Sequence, residues 1–123
     1  MIIADAEHAP GIRIPPPYER ELKVLLSPEL QWGLETIASG LTILPPGGQS
    51  DLHEHDEGEM FYVISGRCSI TVGDEEATVH PGTAVWGPPH VPHMLKNPGS
   101  EECRILWVIS PPGRERDIIE QSK

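Results

Sequence analysis

Basic side chains are scarce in this sequence. It has 9 Lys and Arg against 19 Asp and Glu, for a net charge of −10. Such a surface repels nucleic acid and anionic membrane, so neither is an expected partner. Cysteine is scarcer still. Cys68 and Cys103 are the only two, too few for a disulfide framework and not spaced as a CxxC pair. Both read as reduced, buried small apolar residues. No apolar run approaches the ~18 residues of a membrane-crossing helix. The opening MIIADAEHAPG has no apolar stretch of leader length, so the expected location is the cytoplasm. There is also no GxSxG, no P-loop and no GxGxxG after a strand, which removes the common nucleophile and nucleotide motifs.

Proline and glycine, by contrast, are abundant at 14 and 12 residues. They punctuate the chain instead of forming one block: PPP at 15–17, PPGG at 45–48, HPG at 80–82, GPP at 87–89, NPG at 97–99 and PPG at 111–113. Short apolar or alternating runs lie between them. Strands are expected over 21–27, 33–44, 51–55, 59–65, 68–72, 77–80, 83–87, 91–97 and 102–110, with a short helix after residue 113. Many short strands separated by turns predict an all-β antiparallel barrel or jelly roll. The last strand is apolar on both faces. Cys103, Ile105, Trp107 and Ile109 share one side and Leu106 and Val108 the other, so its second face requires cover by a partner subunit. A homodimer is therefore expected. The first ~20 residues are Pro-rich and read as an extended arm.

The stretch HEHDEGEMFYVISG, residues 53–66, carries the chemistry. On a strand, His53 and His55 would point to the same face, with Glu59 close behind. Taken alone, such a run is as compatible with a wet acidic surface as with a metal site. The spacing around it decides. Gly47 precedes His53 by six positions, and His55, Glu59 and Gly66 follow. Downstream, Gly82, Pro88, His93 and Asn97 repeat a second frame.

This pattern resembles the cupin superfamily, whose first motif is G-x5-H-x-H-x3,4-E-x6-G and whose second is G-x5-P-x-G-x2-H-x3-N. All fixed positions of the first motif match. In the second, only His90 departs, standing where the family has glycine. The resemblance covers residues 47–110 and implies one domain over 1–123 with the fold of a double-stranded β-helix (jelly-roll cupin barrel). It also implies a central metal held by His53, His55, Glu59 and His93. Three imidazoles and one carboxylate suit one divalent transition metal per chain, from among Fe, Mn, Ni, Zn, Co and Cu. Four protein ligands leave open positions on an octahedral ion for a small-molecule substrate or oxygen.

Three functions are weighed. An oxygen-using, dioxygenase-type enzyme comes first. A redox-neutral isomerase, lyase or decarboxylase comes second, with the metal as Lewis acid and His90 or Tyr62 as the proton-moving base. A non-catalytic small-ligand-binding module comes third. His90 is the expected catalytic residue outside the ligand set, placed three residues before His93 with an unperturbed pKa near ~6.5. Tyr62 has the opposite strand parity to Glu59 and is the weaker candidate. Trp86 is the tryptophan expected to line the pocket. His8 and His80 read as exposed spectators.

Overall fold

The computed structural model describes residues 1–123. Nine strands and one helix follow in order. They are β1 (Gly11–Ile14), β2 (Arg20–Leu26), β3 (Ala38–Leu44), β4 (Gly58–Ser65) and β5 (Cys68–Val72), then β6 (Glu75–Val79), β7 (Ala84–Gly87), β8 (His93–Lys96), β9 (Cys103–Ser110) and α1 (Glu115–Gln121). A six-stranded sheet runs β1-β2-β3-β9-β4-β7 and a three-stranded sheet runs β6-β5-β8. All pairings are antiparallel, and the chain forms the expected jelly-roll barrel.

Side-chain alternation sorts each strand into an inner and an outer face. In β4, Glu59, Phe61 and Val63 are buried, whereas Tyr62 and Ile64 are exposed. In β9, Cys103, Ile105, Trp107 and Ile109 are buried while Leu106 and Val108 are only half-buried. The inner residues of both sheets join Val24, Leu44, Ile70 and Leu95 in one core. Cys68 and Cys103 are free and buried, as expected. Contact with Cys103 and burial both push the Cys68 thiol up, so it stays protonated and unreactive.

Three expected elements are redrawn, and proline or a register slip explains the first two. Residues 51–55 do not form a strand. Only Gln49↔Lys96 and His53↔His93 remain as isolated bridges beside β8. Between them the register slips by one residue, and the Ser50 hydroxyl takes the Leu95 N–H in place of a backbone carbonyl. Beyond His53 the partner would be Pro92, which has no N–H to donate. Residues 33–37 are likewise outside β3. Its partner β9 stops at Ser110 before Pro111 and Pro112, so Ala38↔Ile109 is the last pair. The amino-terminal arm, finally, is not featureless. Gly11–Ile14 pairs with β2, and Lys23 Nζ donates to the Ala6 carbonyl at 2.6 Å.

One glycine sets the interior of the large sheet. A Cβ on Gly40 would stand 2.0 Å from the Lys23 carbonyl oxygen and 2.2 Å from Cζ2 of Trp107. The Trp107 indole occupies the space that a side chain at 40 would fill, directly across the β3–β9 ladder. Gly40→Ala is therefore expected to destabilise the fold by about 1–3 kcal/mol through overpacking. Urea unfolding followed by tryptophan fluorescence checks this, and an unchanged midpoint would contradict the packing assigned to Trp107.

Candidate metal centre

The four expected ligands converge between the two sheets. His93 opens β8 and is 2% exposed. Its backbone N–H donates to the His53 carbonyl at 2.8 Å, and the His53 N–H donates back to the His93 carbonyl at 3.1 Å. This exchange ties the 49–53 segment to β8 and sets the two rings 4.4 Å apart. The His55 ring lies 4.9 Å from that of His93 and 5.8 Å from that of His53. One ring nitrogen from each of the three falls within 4.8 Å of the others. Glu59 reaches in from the inner face of β4. Its Oε1 lies 3.0 Å from His55 Nε2 and 3.2 Å from His93 Nε2.

The donor set fits a divalent cation. His93 Nε2 is buried and has no hydrogen-bond partner, a costly condition unless something ligates it. His53 Nδ1 sits 2.9 Å from the Asp51 carbonyl, which fixes the proton on Nδ1 and leaves Nε2 with its lone pair. Burial pushes the His53 pKa down, so the ring is neutral at physiological pH and available as a ligand. Burial would raise the Glu59 pKa, but the hydrogen bond with His55 and the close His93 ring together hold it below the usual range. One carboxylate oxygen and three imidazole nitrogens so placed are the donor types that a divalent transition cation takes.

The surrounding cavity contains residues that spacing did not suggest. His53, Glu59 and His93 line it together with Arg20, Thr42, Phe61, Trp107, Arg114, Glu115 and Ile118. Phe61 packs edge-on against His93 with ring centroids 5.3 Å apart. Glu57 lies behind the centre. Its Oε1 is 3.6 Å from His55 Nδ1 and its Oε2 accepts the Arg114 backbone N–H at 2.5 Å. Arg20 had a readable signal, because it shares parity with Leu22 and Val24 and so stands on the apolar face of β2. Arg114 and Glu57 had none.

His90 does not join this cluster. Its side chain is 69% exposed, lies 3.5 Å from Asp56, and takes no part in lining the cavity. Its role is in the backbone. With φ of 63° it is the only non-glycine residue in the left-handed region, and its N–H donates to the His55 carbonyl at 2.9 Å. The histidine thus keeps the glycine conformation of the motif while its ring turns to solvent. Trp86 also corrects expectation. It is 56% exposed on the outer face, with its ring over Gly58, and Trp107 lines the cavity instead. Tyr62 is exposed outside the barrel as its parity required. His8 stays at the surface, bonded to Asp5 at 2.9 Å.

The comparisons with known proteins agree with this geometry. The family model described as "Cupin domain" matches residues 40–109. An uncharacterized protein of Methanocaldococcus jannaschii is 31% identical over 98 residues, which is 78% of this chain and 77% of that protein. Among solved structures, a predicted oxalate decarboxylase from Thermotoga maritima aligns with a TM-score of 0.78 at 22% identity, covering 90% of this chain and 100% of that one. The polyketide cyclase RemF from Streptomyces resistomycificus aligns at 0.75 and 22% identity, over 92% of this chain and 82% of its own. These two structural likenesses show the fold.

Protein purified without chelator is expected to carry about one divalent transition metal per chain. His53→Ala or His55→Ala should cut occupancy at least about tenfold, while His8→Ala and His80→Ala leave it unchanged. His90→Gly should keep full occupancy and raise stability by up to about 1 kcal/mol, since glycine relieves the left-handed strain. Elemental analysis and urea unfolding read all five variants. A His53→Ala protein with full metal would remove the ligand assignment.

Proposed function

The chain belongs to the cupin family, and we propose that it is a metal-dependent enzyme acting on a small molecule with oxygen as co-substrate. His53, His55, Glu59 and His93 would hold the ion, which when bound supplies adjacent open positions for substrate and oxygen. The observation that carries the oxygen-using reading is what the cavity lacks. Redox-neutral proton transfer requires a base within reach of the substrate, and both His90 and Tyr62 turn away from the cavity. Glu115 does line it, but Ser27 Oγ donates to its Oε2 at 2.6 Å and the Gly113 N–H to its Oε1. Each carboxylate oxygen already accepts one hydrogen bond, which favours the charged form and weakens Glu115 as a base. The wall of Phe61, Leu95, Trp107 and Ile109 excludes water from a reactive site.

A redox-neutral reading is kept for the polar side of the cavity. The likeness to a predicted oxalate decarboxylase and a polyketide cyclase supports it at the level of fold, and Glu115 is the group that would have to move the proton. Oxygen-electrode measurements on iron- or manganese-loaded protein separate the two readings, using a panel of small organic acids and phenols. Oxygen uptake that tracks product formation is expected. Equal turnover under argon would transfer the assignment to lyase, isomerase or decarboxylase chemistry.

The proposed assembly is a homodimer through the outer face of the large sheet. Cross-strand register places Trp86, Met60 and Val108 in one row and Tyr62 and Leu106 in the next, beside Leu41, which the chain already buries. Trp86, Tyr62 and Ile64 are exposed, and a patch of this kind is covered by a second copy in a closed dimer. The proposed setting is a single domain over 1–123 in the cytoplasm, and α1 packing on β1 and β2 supports the first part. No helix is long and apolar enough to cross a membrane. Light scattering at micromolar concentration should give twice the chain mass, and Leu106→Glu should halve it. A monomeric wild type would overturn the dimer.

A further inference from the structure

Two arginines line the cavity, beside Glu59 and Glu115, although nothing in the two metal-binding frames calls for them. Arg20 comes from the first residue of β2 and Arg114 from the turn before α1, and both line the cavity with His53, Glu59 and His93. The Arg20 side chain is only 11% exposed. Its sole carboxylate contact is Asp51 Oδ1 at 3.4 Å, while Nη1 donates to the Tyr18 carbonyl at 2.8 Å. Arg114 is solvent-exposed at the cavity edge and, like the exposed Arg67 but unlike Arg13, Arg20, Arg104 and Arg116, enters no ion pair.

Like charges brought together at a partly buried site oppose folding. In a chain of net charge −10, ten surplus carboxylates were available to neutralise Arg114, and none does so. The backbone, on the contrary, is built to hold it in place. The Arg114 N–H is fixed by Glu57 and the adjacent Glu115 is locked to Ser27. Burial lowers the pKa of Arg20; Asp51 pulls it back up, and the charge of Arg114 lowers it by a smaller amount.

We infer that Arg20 and Arg114 form an anion clamp that binds a carboxylate of the substrate, with Leu22, Phe61, Trp107 and Ile118 enclosing an apolar body between the clamp and the metal-ligand cluster. The inference rests on the small-molecule enzyme reading above and narrows it to organic acids with an apolar portion. A guanidinium suits this task because its planar donors pair with both carboxylate oxygens. Such charge-assisted bonds are worth about 1.5–3 kcal/mol each, or roughly tenfold to a hundredfold in affinity.

The test uses metal-loaded protein and two probes of equal shape, 3-phenylpropionate and its neutral amide. Binding is followed by the fluorescence of Trp107 against a Trp107→Phe control, and by calorimetry. The wild type is expected to bind the acid at least about tenfold more tightly than the amide. Arg114→Gln should abolish that preference while metal content and melting temperature stay unchanged. Arg20→Gln should do the same, and because Arg114 is exposed its variant tests the clamp even where Arg20→Gln fails to fold. Equal binding of acid and amide would overturn the clamp. So would a preference that survives Arg114→Gln, or no binding of the acid by the wild type at about 10 mM. Metal analysis keeps the two readings apart. A protein without metal that still prefers the acid retains the clamp and loses the metal-dependent assignment.

Discussion

A reciprocal pair of backbone hydrogen bonds between His53 and His93 holds the centre together. The two residues are 40 positions apart in sequence, and the exchange fixes both their main chains and the distance between their rings. Everything else is placed relative to it. The register slip at Ser50 sets which side chains of the 49–53 segment face inward. The His90 N–H then anchors the His55 carbonyl, and β4 supplies Glu59 from the opposing sheet. Four ligands from a bridge, a loop and two strands therefore depend on one local pairing that proline at position 92 prevents from extending further.

Charge is distributed around that centre in layers. The candidate ligand set is a carboxylate among three imidazole rings, enclosed on one side by apolar groups and bordered on another by two arginines. Glu57 links the layers, with one oxygen facing His55 Nδ1 and the other holding the Arg114 backbone. A shift of the α1 segment would thus be felt at a ligand imidazole through a single carboxylate.

The meeting of His53, His55, Glu59 and His93 was legible because motif spacing encodes it: glycine, proline and histidine at fixed intervals leave little freedom. The barrel was legible from turn residues between short alternating runs. The missing pieces are of another kind. Arg20 carried a faint signal as a charge on the apolar face of β2, but parity alone does not say whether a cavity lies there. Arg114 and Glu57 sit in turns, where side-chain direction is set by tertiary contacts. His90 was misread because its position in the motif was taken as a place for a side chain, when the backbone angle is what the position demands. Trp86 and Trp107 differ by which face of their strands they occupy, and only the pairing register with β4 and β3 decides that.

The large sheet has its last strand in the middle. β9 lies between β3 and β4, so those two strands, each with an unpaired edge, leave the ribosome well before the strand that joins them. During synthesis the nascent chain carries two apolar edges of the kind that pair with other chains. Pairing β3 with β9 also closes a loop that contains His53, His55, Glu59 and His93, and long-range closure of this kind is slow. The barrel is in this sense closed from its centre: until Cys103–Ser110 is in place, neither half of the sheet has a neighbour to define its register, and the cavity has no floor at Trp107 and Ile109.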